Sequence, residues 1–112
     1  MKNLDQIRAK NALAARIGTG AEGSESVAKK VPVMIRENGF IAAMSFAKEK
    51  GKGYADVFNA IIDHLKDINQ MHGIPDNFDG FLDGLCKKDS VVLRAVTAEA
   101  MAYLNYLRRF QG

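Results

Sequence analysis

The sequence predicts an all-α fold: a compact single-domain helical bundle of about six helices over residues 1–112. Two stretches, residues 54–71 and 91–110, repeat apolar residues at the three- and four-residue spacing of an amphipathic helix. No stretch alternates apolar and polar residues for long enough to predict a strand. With 112 residues, 47% of them hydrophobic, the chain can build one hydrophobic core but not two.

The first two helices are predicted from their start and stop residues. The first spans residues 4–17 and ends at Gly18. The second begins at Ser24 or Ser26, because either hydroxyl can cap its free amides. Pro32 lacks an amide proton, so we expect the second helix to kink or to split there.

The third helix is predicted over residues 40–50, after Gly39 closes the second. Its residues are mostly apolar, so we expect it to be buried on several sides. A loop with three lysines, Lys48, Lys50 and Lys52, is expected to follow.

The last three helices have the clearest apolar faces. Residues 54–71 form the fourth, and a short fifth helix places apolar residues at helical spacing over residues 78–85. The sixth runs to residue 110. The predicted capping residues are Asp76 or Asn77 for the fifth helix and Asp89 or Ser90 for the sixth.

Charge is divided along the chain. The net charge of +3 combines a basic N-terminal half, with 10 Lys/Arg and 5 Asp/Glu in residues 1–53, and an acidic segment, with 1 and 6 in residues 54–86. Residues 87–112 are basic again, with 5 and 2. This division fits a basic face for a polyanion and an acidic face for a basic protein, although two solvated faces would give the same counts.

Composition also limits the location and the covalent chemistry. No apolar stretch is long enough to span a membrane, and no signal-peptide core is present at the start, so we expect a cytoplasmic protein without membrane contact. Cys86 is the single cysteine, which excludes an intrachain disulfide. We interpret it as a small apolar filler.

Two motifs are considered for chemistry and rejected. Residues 18–23 match G-x-G-x-x-G, but a helix precedes them, whereas a dinucleotide-binding loop must follow a strand. Asp63, His64 and Asp67 lie close together on the fourth helix, and we interpret them as a solvated acidic face with a flanking histidine. We therefore predict no metal, no cofactor and no enzymatic activity.

Glu99 interrupts the apolar face of the last helix. A carboxylate there needs a partner, because an unpaired buried charge is very costly. We expect a structural ion pair with an arginine, and Arg8 and Arg36 both remain candidates because each has apolar neighbours. Glu99 with Arg8 is the predicted pair, and Arg36 stays open as the alternative.

The remaining basic residues can bind phosphates without reading bases. No RNP motif, KH loop or zinc knuckle is present, so any nucleic-acid binding should be independent of sequence and sensitive to salt.

Two blocks carry a family resemblance. Residues 97–110 read T-x-E-A-x-x-Y-L-N-Y-L-R-R-F, and residues 29–40 read K-K-V-P-V-M-I-R-E-N-G-F. The first resembles the C-terminal helix of the small, all-helical subunit of type III-B (Cmr-type) CRISPR effector complexes, and the second resembles the Pro-Ile-Arg-x-x-Gly stretch of the same subunit.

The resemblance implies a non-catalytic subunit that packs beside the backbone subunits of a CRISPR ribonucleoprotein complex. Such a subunit contributes basic surface to the channel of guide RNA and target RNA, with contacts independent of sequence. Carried onto this chain, the resemblance implies that the positions in contact with RNA or a neighbouring subunit are Lys29, Lys30, Arg36, Lys48, Arg94, Arg108 and Arg109. Alternatives stay open: the small subunit of a type III-A complex, a free-standing helical nucleic-acid-binding protein, or a helical protein-binding adaptor.

Overall fold

The computed structural model describes residues 3–15 and 24–111, which form an all-α bundle without a strand in these ranges. The helices are α1 (Leu4–Ala14), α2 (Ser24–Asn38), α3 (Phe40–Lys50), α4 (Lys52–Asp67), α5 (Phe78–Lys87) and α6 (Ser90–Gln111). The predicted all-α class and the number of helices are therefore confirmed.

Helix α1 begins at a reciprocal cap. The Asn3 side chain accepts from the Gln6 amide at 2.9 Å, and the Gln6 side chain accepts from the Asn3 amide at 2.8 Å. The helix ends at Ala14, earlier than predicted, because Ala15 takes an extended conformation. The G-x-G-x-x-G segment lies outside the described residues.

Single glycines connect α2, α3 and α4. Gly39 has φ +91° and Gly51 has φ +66°, values that residues with a side chain rarely adopt. The expected three-lysine loop is therefore wrong: Lys48 and Lys50 are in α3, and Lys52 already begins α4.

Helix α2 remains one helix through Pro32, and the expected split does not occur. Pro32 is buried, and α2 is in contact with α3, α4 and α6. This packing on three sides compensates for the missing hydrogen bond.

The expectation that α3 is buried on several sides needs correction, since only one side of it is buried and the Phe46 side chain is 44% exposed.

Helix α4 lies at the centre of the bundle and contacts all five other helices. The edge of the Phe40 ring meets the Phe58 ring, with 5.4 Å between centroids, and the Phe81 ring lies 6.4 Å from Phe40. The apolar side chains of α4 that are essentially inaccessible are Val57, Phe58, Ile61, Ile62 and Leu65.

The chain after α4 turns earlier than the apolar periodicity suggests. Asn69 and His72 both have positive φ, which ends the helix before residue 71. Asn77 caps α5 by accepting from the Gly80 amide at 2.7 Å. Asp89 accepts from the first amides of α6, as expected for a cap.

Two further observations concern the surface. Cys86 is exposed, so the interpretation of it as an apolar filler is wrong. Among the described residues, no helix combines the length and the apolar character that crossing a bilayer requires.

Candidate functional site

A basic groove runs between α2 and α6. From α2 it is lined by Lys29, Pro32, Val33 and Arg36, and from α6 by Met101, Asn105 and Arg108. Its volume is about 170 Å³. The groove therefore brings together three of the predicted contact residues, Lys29, Arg36 and Arg108, which lie 72 or more positions apart between the two helices.

Helical spacing explains why these side chains converge. On α2, Lys29, Val33 and Arg36 are separated by four and three residues, so they share one side of the helix. Met101, Asn105 and Arg108 repeat the same spacing on α6. Because α2 packs directly on α6, the two rows form the opposite walls of one groove.

Arg94 is a further arginine on the same helix as Arg108. It precedes Arg108 by fourteen residues, which at 1.5 Å per residue is about 21 Å along the axis. Fourteen residues also bring the helix back to within about 40° of the same side. Arg94 is exposed, so α6 carries a second exposed arginine well beyond the groove itself.

The electrostatic setting of the groove favours an anion. Lys29, Arg36 and Arg108 are exposed, and no carboxylate is found among the described residues that line the groove. Several other surface lysines are neutralised locally, as in the pairs Lys66–Asp76 at 2.9 Å and Lys87–Asp83 at 2.9 Å.

The other predicted contact residues lie elsewhere. Lys30 lines a neighbouring groove between α2 and α3. Lys48 lies on the side of α3 that faces α5, where its Nζ is 3.0 Å from the Asp79 carboxylate. Arg109 is exposed in the last turn of α6, next to Arg108.

A second polar feature is buried between α1, α4 and α6. Arg8 holds Glu99 through two hydrogen bonds, Nε to Oε2 and Nη2 to Oε1, each 2.8 Å long. Arg36 takes no part in this pair, because it lies in the basic groove. The second partner of Glu99 is His64, whose Nε2 is 2.8 Å from Oε2.

His64 is the residue that the sequence interpretation placed wrongly. It is 1% exposed, not a flank of the acidic face, and its ring stacks on Tyr103 with 4.5 Å between centroids. The sequence does contain a pattern that indicates burial of His64, because Val57, Ile61 and His64 follow the spacing of the buried side of α4.

Hydrogen bonds define the tautomer of His64. The Asn11 amide nitrogen donates to the Asp67 carboxylate at 3.1 Å and lies 2.9 Å from His64 Nδ1. With its amide oriented by Asp67, Asn11 also donates to Nδ1, so the ring proton is on Nε2 and is donated to Glu99.

Three pKa values are shifted around this pair. Burial opposes ionisation of Glu99, but the hydrogen bonds from Arg8 and His64 and the charge of Arg8 outweigh it and hold the pKa of Glu99 below its ordinary value. The Glu99 carboxylate, together with Asp5, raises the pKa of Arg8 although burial opposes this. Burial raises the pKa of the Tyr103 hydroxyl.

The network is suited to holding helices together. Both ring nitrogens of His64 are engaged, and no buried side-chain polar atom lacks a hydrogen-bond partner in the described part of the chain. Within the described residues, no group of three or more His, Cys, Asp or Glu side chains is arranged to bind a metal ion.

Comparison with known proteins identifies the family. The model of the family described as CRISPR-associated protein (Cas_Cmr5) matches residues 4–111. No curated protein and no solved structure matches the chain. The family match spans both blocks noted in the sequence, at residues 29–40 and 97–110, and confirms the resemblance to the small Cmr-type subunit. The chain therefore belongs to the CRISPR-associated Cas_Cmr5 family.

Proposed function

We propose that the protein is a non-catalytic small subunit of a type III-B CRISPR effector complex, and that its groove between α2 and α6 contributes basic surface to the guide–target RNA channel. Membership of the family supports an association with other components of a CRISPR complex. The observation that carries the RNA contact is the convergence of Lys29, Arg36 and Arg108 around one groove.

Phosphate contact follows from the chemistry of this groove. Exposed arginine and lysine side chains bind phosphate oxygens and release counterions, which supplies affinity without reading the sequence. Arg94 and Arg108 lie about 21 Å apart along α6, so one copy can contact phosphates at two separate points. Several copies side by side would add their contacts by avidity, so weak binding by one isolated copy is compatible with this function.

The non-catalytic part of the proposal has its own support. The histidine–carboxylate pair, His64 and Glu99, is largely buried between helices, and both nitrogens of the imidazole ring are already used. Asp63 and Asp67 are exposed on α4 but do not belong to a metal-binding group among the described residues. A phosphodiesterase activity abolished by Asp63→Ala would overturn this part.

The RNA contact can be tested in the assembled complex. The triple variant Arg36→Ala, Arg94→Ala, Arg108→Ala removes three positive charges, two from the groove and one from Arg94. Each phosphate contact contributes roughly 0.7 to the slope of log affinity against log salt for a single strand. We therefore expect the slope for target RNA to fall by up to about 2 per copy, together with weaker binding at low salt.

A matched control removes the same charge elsewhere. The variant Lys50→Ala, Lys66→Ala, Lys87→Ala lowers the net charge equally, but it alters residues outside the groove. It should leave the salt slope unchanged. An equal effect of both triple variants, or no effect of the first, would contradict the proposed RNA contact.

Co-purification tests the assembly itself. A tagged copy of the chain, expressed in its native host, should recover the guide RNA and the large CRISPR subunits. Recovery of neither, from cells that express the complex, would favour the alternative of a helical protein-binding adaptor.

A further inference from the structure

A second groove, between α2 and α3, has a different character from the basic one. Its volume is about 580 Å³, more than three times that of the groove between α2 and α6. Most of its wall is apolar, with Lys29, Lys30 and Asn38 as polar residues. The apolar residues that line it are Val33, Met34, Ala42, Ala43, Phe46 and Tyr54.

The apolar wall is open to solvent. Phe46 is 44% exposed and Val33 is 42% exposed, although both are large apolar side chains. The Phe46 ring is held by its edge-to-face contact with Tyr54, at 5.6 Å between centroids and 88° between planes. A fixed, exposed aromatic side chain beside a methionine is typical of the centre of a protein–protein contact.

The charge at the rim indicates the kind of occupant. Lys29 is exposed at the α2 edge of the groove, and the described residues that line the groove include no carboxylate. A partner that places carboxylates at this edge gains charge complementarity. An RNA backbone gains less from this groove, because its phosphates must remain hydrated or paired and the groove wall is mostly apolar.

We infer that the groove between α2 and α3 binds a segment of another protein that carries a bulky apolar side chain next to carboxylates. The apolar side chain seats against Val33, Met34 and Phe46, where it covers surface that the isolated chain exposes. A neighbouring carboxylate pairs with Lys29. Lys29 lines both grooves, so the two contacts share this lysine, whereas the apolar contact at Phe46 lies outside the basic groove.

Site-specific photo-crosslinking tests the inference in the complex purified from its host. A photoreactive phenylalanine analogue replaces Phe46, which conserves the aromatic ring at a half-exposed position. We expect a crosslink to a peptide of a different protein, with an Asp or Glu within about one helical turn of the attachment point. The same analogue at Val91, exposed outside the groove, is the matched control.

Substitutions in the groove give a second readout. Phe46→Ala should reduce recovery of the crosslinked protein about tenfold, since central aromatic anchors dominate binding. Val91→Ala should not reduce it. Lys29→Glu should weaken recovery too, and reversing the partner's carboxylate to Lys should restore it.

Four results would overturn the inference. A crosslink from position 46 to RNA would assign the groove to nucleic acid, and a crosslink to another copy of the chain would assign it to self-association. An absence of any crosslink beyond that seen at position 91 would leave the groove without an occupant in the complex. Failure of the charge reversal to restore binding would exclude the carboxylate pair.

Discussion

Removal of the Glu99 carboxylate is expected to destabilise the protein by about 3 kcal/mol. Glu99→Ala deletes the acceptor of three hydrogen bonds, two from Arg8 and one from His64. Removal of one member of a buried ion pair costs roughly 3–5 kcal/mol. The lower end applies because the Arg8 and Glu99 side chains retain 18% and 13% exposure, which lets water reach the freed guanidinium.

Glu99→Gln should cost less, about 1–2 kcal/mol. An amide oxygen in place of Oε2 keeps the hydrogen bonds from Arg8 Nε and His64 Nε2. The amide nitrogen then faces Arg8 Nη2, so one of the three hydrogen bonds is lost. The difference between the two variants therefore reports how much of the stability comes from hydrogen bonds that the amide can still accept.

Urea unfolding followed by far-ultraviolet circular dichroism gives both free energies. A thermal melt is a second measurement, with a decrease in Tm of about 4 °C per kcal/mol for a chain of this size. Asp5→Ala is the matched control: its carboxylate contacts the same Arg8 at 2.9 Å but is 66% exposed, so its loss should cost under about 0.5 kcal/mol. Equal, small losses for Glu99→Ala and Asp5→Ala would refute the reasoning.

Three further predictions use other features of the fold. The pKa of Glu99 lies below its ordinary value of 4.5, so the stability that its charge contributes is complete above that value and is lost as pH falls through the folded-state pKa. In urea titrations at decreasing pH, the stability advantage of the unchanged protein over Glu99→Gln should therefore shrink. An advantage that stays constant would contradict this prediction. Gly84→Ala places a Cβ 2.6 Å from the Ile74 Cγ2 atom, so we expect the free energy of unfolding to fall by about 1 kcal/mol although alanine has the better helix propensity. Urea unfolding should show that the same substitution costs less in an Ile74→Ala background, where the clash is absent. Cys86 is exposed and should react with a thiol reagent in the folded protein; labelling only after denaturation would show that the side chain is covered.

Local signals predicted most of the helix boundaries. The third helix has the predicted bounds because Gly39 and Gly51 take conformations that other residues avoid. The fourth ends earlier than predicted because Asn69 turns the chain, although Ile68 continues the apolar period. Periodicity describes which side of a helix is apolar, and it does not show where the chain leaves the helix.

The site was harder to predict, because it depends on contacts between distant segments. Lys29, Arg36 and Arg108 were identified as basic residues, but only the packing of α2 on α6 places them around one groove. Arg8 and Arg36 were equally suitable partners for Glu99 on local grounds. The choice between them depends on the position of α1 against α6, which no local pattern contains.

The ion pair also has a consequence for synthesis of the chain. Arg8 and Glu99 are 91 positions apart, so α1 emerges long before the carboxylate that anchors it. At about 5–20 residues per second, the delay is roughly 5–20 s. Helix α1 tolerates this interval in water because only Ala12 of its side chains becomes fully buried. The segment of α1 therefore exposes little apolar surface while it waits, and α1 docks when α6 is complete.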